Sequence, residues 1–123
     1  MIKFTIYGTL PCLNDYTRAS RGKGWAMSAK MKKNAQEQCE WAILQQCKGK
    51  HLDSCHVGIE WYEPNHRRDP DNIFFAKKFI FDALVVQKVL DNDGQKQILS
   101  ISECVKVDKL NPRIEVTLRE SSG

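Results

Sequence analysis

Residues 72–86, NIFFAKKFIFDALVV, constrain this chain more than any other stretch. Ile73, Phe74, Phe75, Ala76, Phe79, Ile80, Phe81, Ala83, Leu84 and Val85 run almost round the full circumference of a helix. Such a helix must be buried on several sides, against a sheet and against a partner subunit. The flanking sequence supplies the sheet. "IKFTIYG" alternates apolar and polar and stops at Gly8, so residues 1–8 read as a strand. "CHVGIEWYE" at 55–63, closed by Pro64, is a second. "ILSISECVKV" within 97–107 and "RIEVTL" within 113–119 are two more, with Asn111-Pro112 at the corner between them. Met27, Met31, Ala35, Cys39 and Ala42 recur near four-residue spacing and predict a helix over 28–47. Residues 9–27, rich in Gly, Asn, Asp and Arg, read as a long basic loop, a length that a compact domain keeps for function. The expected string is β-α-β-α-β-β. It makes one α/β (α+β) domain over 1–123, with a mixed sheet of about four strands.

Charge is distributed unevenly. Residues 16–36 contain no acid, while Arg18, Arg21, Lys23, Lys30, Lys32 and Lys33 all fall there. A one-sign patch of this kind attracts polyanions. No apolar run approaches the ~18 residues of a membrane span, and the opening is not a basic-then-apolar leader, so a membrane partner is not expected. Cys12, Cys39, Cys47, Cys55 and Cys104 are an odd number without CxxC spacing, which predicts reduced, mostly buried thiols in a cytoplasmic protein. His51, His56 and His66 have no ligand spacing either. "DNDGQ" resembles half of a calcium loop, but aligning Gly94 puts Val89 and Ser100 where carboxylates are required.

The acidic residues concentrate in "HRRDPDN". Pro70 keeps Asp69 extended, and in an extended segment positions i and i+2 face the same way. Asp69 and Asp71 can therefore bring both carboxylates to one point. N-capping of the following helix by Asp71 or Asn72 accounts for one polar side chain here and leaves the others unexplained. At 100° per residue, Lys78 and Asp82 each lie about 20° from Asp71, whereas Lys77 lies about 120° away. The bland reading of Lys78 and Asp82 is an i,i+4 surface pair.

In order and spacing, "RRDPDN", "KFIFDAL" and "DNDGQ" resemble the RusA family of Holliday-junction resolvases of bacteria, phages and prophages. The likeness extends to "LPCLNDYTRASRGKG" and "VDKLNPRIEVTL", and so covers nearly the whole chain. It implies a dimeric Mg²⁺-dependent endonuclease, with Mn²⁺ as a substitute, that cuts four-way DNA junctions by paired symmetric phosphodiester hydrolysis in recombination and repair. Its metal-binding aspartates would be Asp69, Asp71 and Asp93, and its catalytic lysine Lys78. The distance from Asp71 to Asp82 is three residues longer than in the family pattern, about 300° of helix, which leaves Lys77 as the alternative. Asn72 and Asp82 would orient the ligands and the lysine. Arg18, Arg21, Lys23, Lys30, Lys32, Lys33, Arg67 and Arg68 would track phosphates, and Tyr16 and Trp25 would stack on bases. Two other readings stay open, a nonenzymatic DNA-junction or protein-interaction module and a nuclease for flaps or other branched DNA. Cutting two strands symmetrically needs two sites, hence a twofold dimer, with the apolar surface of the second helix as its expected interface.

Overall fold

Alternating stripes from three of the four strands meet on one sheet, whose buried face is covered by helices. A computed structural model describes residues 1–22 and 25–121; the side chains of Gly22 and Trp25 are outside the description. The order is β1 (Ile2–Tyr7), α1 (Leu13–Gly22), α2 (Trp25–Cys47), β2 (Cys55–Glu63), α3 (Pro70–Phe74), α4 (Lys77–Val86), β3 (Ile98–Val107) and β4 (Arg113–Glu120). In the sheet the order is β1-β4-β2-β3, with β2 and β3 parallel and the other two pairings antiparallel. The mixed α+β architecture expected from the sequence is the one observed.

Period two accounts for the core. Ile2, Phe4 and Ile6 of β1, Val57, Ile59 and Trp61 of β2, and Ile114, Val116 and Leu118 of β4 all point to the helical face and are buried. Against them pack Ala35, Cys39 and Ile43 of α2 and Phe79, Ile80, Ala83 and Leu84 of α4. The apolar circumference of the second helix is therefore consumed inside the chain. Its residues Phe79, Ile80, Phe81, Ala83 and Leu84 share one core with α2 and the sheet, while Val86 is left exposed. Cys12, Cys39, Cys47 and Cys55 are buried and unpaired, and Cys104 is exposed. Burial pushes the Cys39 thiol up to about 12, with Glu40 adding to the effect.

Two expected elements differ. The basic loop contains helix α1, whose start is fixed by Asp15: its Oδ2 accepts from the backbone N–H of Cys12 at 3.0 Å, the acidic half of a capping box. The helix expected over 72–86 is two pieces. At their junction Ala76, Lys78 and Phe79 donate to carbonyls three residues back, which tightens the turn and rotates α4 relative to α3. Asp71 and Lys78 therefore do not share one continuous helical phase.

The sheet edges are unlike each other. At β1 the outer backbone is occupied: the Gln46 side chain accepts from Thr5 N–H at 2.9 Å and donates to Thr5 C=O at 2.7 Å, and Gln38 donates to Tyr7 C=O at 3.1 Å. At β3, among the described residues, no hydrogen bond reaches the outer backbone. Among the described residues no helix is long and apolar enough to cross a membrane.

Helix α4 ends on Lys88 in the left-handed region, at φ 61°. Val89 N–H donates to Leu84 C=O at 2.9 Å and Lys88 N–H to Val85 C=O at 3.0 Å, the two bonds of a Schellman ending where glycine is preferred. Lys88→Gly is expected to raise stability by about 0.5–1 kcal/mol, measured by urea denaturation; an unchanged midpoint would mean that the lysine side chain compensates the strain.

Candidate functional site

Proline sets the geometry of the acidic loop. Pro70 is the first residue of α3, and Asp69 before it is extended (φ −74°, ψ 149°), as expected of a residue preceding proline. Asp69 rather than Asp71 or Asn72 holds the N-cap position, and its carboxylate makes no capping bond. Asp69 and Asp71 are both exposed and have no side-chain partner among the described residues. Asn72 is half-buried beside them.

The loop is held from behind by Arg68. Its guanidinium donates to both oxygens of Glu63, at 2.8 Å each, and to Leu10 C=O at 2.8 Å, with Asp15 at 3.7 Å. Burial opposes the charge on Arg68, but the Glu63 hydrogen bonds together with the nearby negative charges, those of Glu63 and Asp15 among them, outweigh it and raise its pKa. Glu63 is only 3 % exposed. Arg68, expected to track phosphate, commits three of its five guanidinium N–H groups to tying the β2–α3 loop to the β1–α1 loop. Arg67 is exposed and its side chain is uncommitted.

The basic residues are carried by helices. Arg18 (77 % exposed, 3.6 Å from Asp15) and Arg21 lie on α1, and Lys30, Lys32 and Lys33 on α2. Arg18 and Lys30 line a cleft of about 830 Å³ that reaches Leu10 and Arg68. Tyr16, expected to stack on a base, is half-buried, and its ring lies 5.6 Å from that of Phe75, joining α1 to the turn after α3. Lys23 falls outside the described residues, as does the side chain of Trp25.

The two lysines separate clearly. Lys77 donates to Phe74 C=O at 3.1 Å and to Glu103 at 3.0 Å, and Glu103 also accepts from the Trp61 indole at 3.1 Å. Lys78 is 44 % exposed and, among the described residues, meets Asp82 alone, at 3.8 Å, the i,i+4 pair. Lys77 is structural, which leaves Lys78 as the mobile cation.

Asp93 lies elsewhere. Because β2 and β3 are parallel, the residues before β3 sit at the start of β2, as the Cys55 N–H to Gln97 C=O bond of 2.8 Å confirms. Asp69 and Asp71 come after the end of β2. Nine residues of strand separate the two ends, roughly 26 Å at ~3.3 Å per residue. One chain therefore does not gather the three aspartates expected to share a cation. The group that does come together near Asp93 is His51, Asp53 and Asp91, whose ligand atoms lie within 4.8 Å of one another, with His51 Nε2 to Asp91 Oδ1 at 3.1 Å. All three are exposed. Histidine spacing missed it because Asp91 arrives from forty residues away.

Glu63 and Glu103 were also missed, although period two carried a signal. Glu63 has the inward parity of Val57, Ile59 and Trp61, and Glu103 pairs with Ile59 on that same face. A carboxylate at an inward position needs a buried cation or donor.

Compared with known proteins, the chain matches no protein-family model and no curated sequence. Arg68→Ala is expected to cost about 3 kcal/mol in urea denaturation, because it strands the buried Glu63, while Arg67→Ala stays within about 0.5 kcal/mol of the unaltered chain. Equal stabilities would return Arg68 to the surface and to the phosphate role.

Proposed function

We propose that this protein is a Mg²⁺-dependent endonuclease of branched DNA, with the four-way junction as its substrate. The observation that carries this reading is the pair Asp69 and Asp71, two exposed carboxylates without a protein partner at the head of α3. They stand at the end of the sheet where Arg18 and Lys30 line the cleft. Carboxylates that make no internal bond are available to a ligand, and the positive helices beside them suit a polyanion. The resemblance of "RRDPDN", "KFIFDAL" and "DNDGQ" to the RusA resolvases supports the same chemistry.

Hard oxygen donors fit Mg²⁺, which uses one or two carboxylates and otherwise keeps its waters. Asp69 and Asp71 would hold it, and Mn²⁺ would substitute. When bound, the cation supplies neutralisation of the charge developing on the phosphoryl oxygens. Lys78, released from its weak pairing with Asp82, brings a further positive charge to that phosphate. Asn72 orients the carboxylates beside it. Arg18, Arg21, Lys30, Lys32, Lys33 and Arg67 fix the strands through their phosphates, so affinity falls steeply with added salt.

A nonenzymatic junction-binding module is the second reading. It is favoured by the placement of Asp93, which leaves one chain with an incomplete acidic set. One comparison separates the two. Asp71→Asn is expected to slow Mg²⁺-dependent nicking of a synthetic four-way junction by roughly 100-fold or more, with junction affinity retained or increased. An unaltered protein that shifts the junction without cutting it, in Mg²⁺ or Mn²⁺, would establish the binding module instead. Faster cutting of flaps than of junctions would move the substrate to other branched DNA.

A further inference from the structure

Helix α2 changes character along its length. Lys30, Lys32 and Lys33 make its first half basic, whereas residues 34–47 contain no Lys or Arg and their charges are Glu37 and Glu40. Trp41 and Leu44 stand beside those two acids. We infer that this second half of α2 is a docking surface for another protein, and that its occupant is an amphipathic segment presenting arginine next to an apolar side chain. The inference does not rest on the proposed nuclease function.

Helical phase explains why the surface is left over. Ala35, Cys39, Ile43 and Cys47 recur every four residues and are buried in the core. Trp41 is two positions from Cys39 and two from Ile43, about 200° from each, so it lies on the side of the helix opposite the core. It is 62 % exposed, and Leu44, one turn on, is 37 % exposed. The core face of α2 is already filled, so the fold itself does not need a tryptophan here. Tryptophan is a large apolar ring with one polar handle, and it is enriched among the residues that carry binding energy at protein interfaces.

Shape and charge select the occupant. Glu37, Glu40, Trp41 and Leu44 line a cleft of about 530 Å³ shared with Gln87, the C-cap of α4. Gln87 donates to Glu40 across a long 3.5 Å, and neither acid makes an ion pair among the described residues. Two unneutralised carboxylates three residues apart on one helix repel each other, and a cation set between them removes that cost. A guanidinium answers both features of the cleft: its flat face stacks on an indole, and its N–H groups donate in pairs to carboxylates. Lysine brings the charge without the flat face. An apolar neighbour on the incoming segment covers Leu44, in the manner of a helix laid into a groove. The same acids turn away nucleic acid and anionic membrane surfaces, because phosphates would be set against Glu37 and Glu40. The two halves of α2 thus suit opposite partners, the first a polyanion and the second a basic segment of protein.

Peptide binding to the full chain tests this. The probe is a fluorescently labelled helical peptide with arginine and leucine at i,i+4 on one face, and the control carries glutamate in place of each arginine. The unaltered chain is expected to bind the arginine peptide saturably and the glutamate peptide not at all. Trp41→Ala is expected to weaken that binding by roughly tenfold or more. Glu37→Lys/Glu40→Lys is expected to lose the arginine peptide and take up the glutamate peptide, a reversal that general stickiness does not produce. None of these side chains belongs to the core, and unchanged urea midpoints check that the variants fold. No binding of the arginine peptide, or equal binding by the unaltered chain and the charge-reversed variant, overturns the inference. Asp69→Asn/Asp71→Asn is expected to bind the peptide as the unaltered chain does, and loss of binding there overturns it by moving the peptide to the acidic loop. A change in sedimentation on Trp41→Ala overturns it in favour of a contact between copies of this chain, and a change in junction affinity in favour of a nucleic-acid surface.

Discussion

The parallel pairing of β2 with β3 governs the rest of this molecule. Parallel neighbours require a crossover, and the apolar segment α3–α4 is that crossover, buried between α2 and the sheet. A crossover carries the chain from the end of one strand back to the beginning of the next. Residues before the crossover and residues after it therefore lie at opposite ends of the sheet. Asp69 and Asp71 stand at its start; Asp91, which lies beside His51, and Asp93 come after it. The strand order sends a compact sequence pattern of acids to two opposite ends of the sheet.

Electrostatics then separates structural charges from those free to meet a ligand. Arg68 with Glu63, and Lys77 with Glu103 and Trp61, are hydrogen-bonded pairs at partly or wholly buried positions, and they hold the acidic loop and the edge strand in place. The charges left over are exposed: Asp69, Asp71 and Asp93 on the acidic side, Arg18, Arg21, Lys30, Lys33 and Arg67 on the basic side. An ion pair removed from water is stiff and costly to break, whereas an exposed charge can exchange its water for phosphate or metal at small cost. The fold thus places rigid pairs behind the surface and uncommitted charges upon it.

Much of this was legible in the sequence, for identifiable reasons. Alternation in IKFTIYG, CHVGIEWYE and RIEVTL found the strands because one face of each is buried and the other is not. Strand β3 was found by composition, although its burial pattern is nearly all exposed, the mark of an edge. Helix α1 was missed because Arg, Ser, Gly and Asn obscure its apolar positions; Asp15 near its start and Arg21 near its end were the signals available. At the site, Pro70 disclosed the geometry of Asp69 because a proline acts on its neighbour locally. The roles of Lys77 and Arg68 depended on Glu103 and Leu10, far away in sequence, which spacing alone does not reveal. The position of Asp93 depended on strand order, and no short motif encodes that.

The central claim is that Asp69 and Asp71, exposed and without a side-chain partner among the described residues, are available to a divalent cation, and metal titration measures it most directly. The unaltered chain and Asp71→Asn are titrated side by side with Mn²⁺, and the bound metal is counted. The unaltered chain is expected to bind the cation and Asp71→Asn to lose most of that binding. Equal binding by the two contradicts the account.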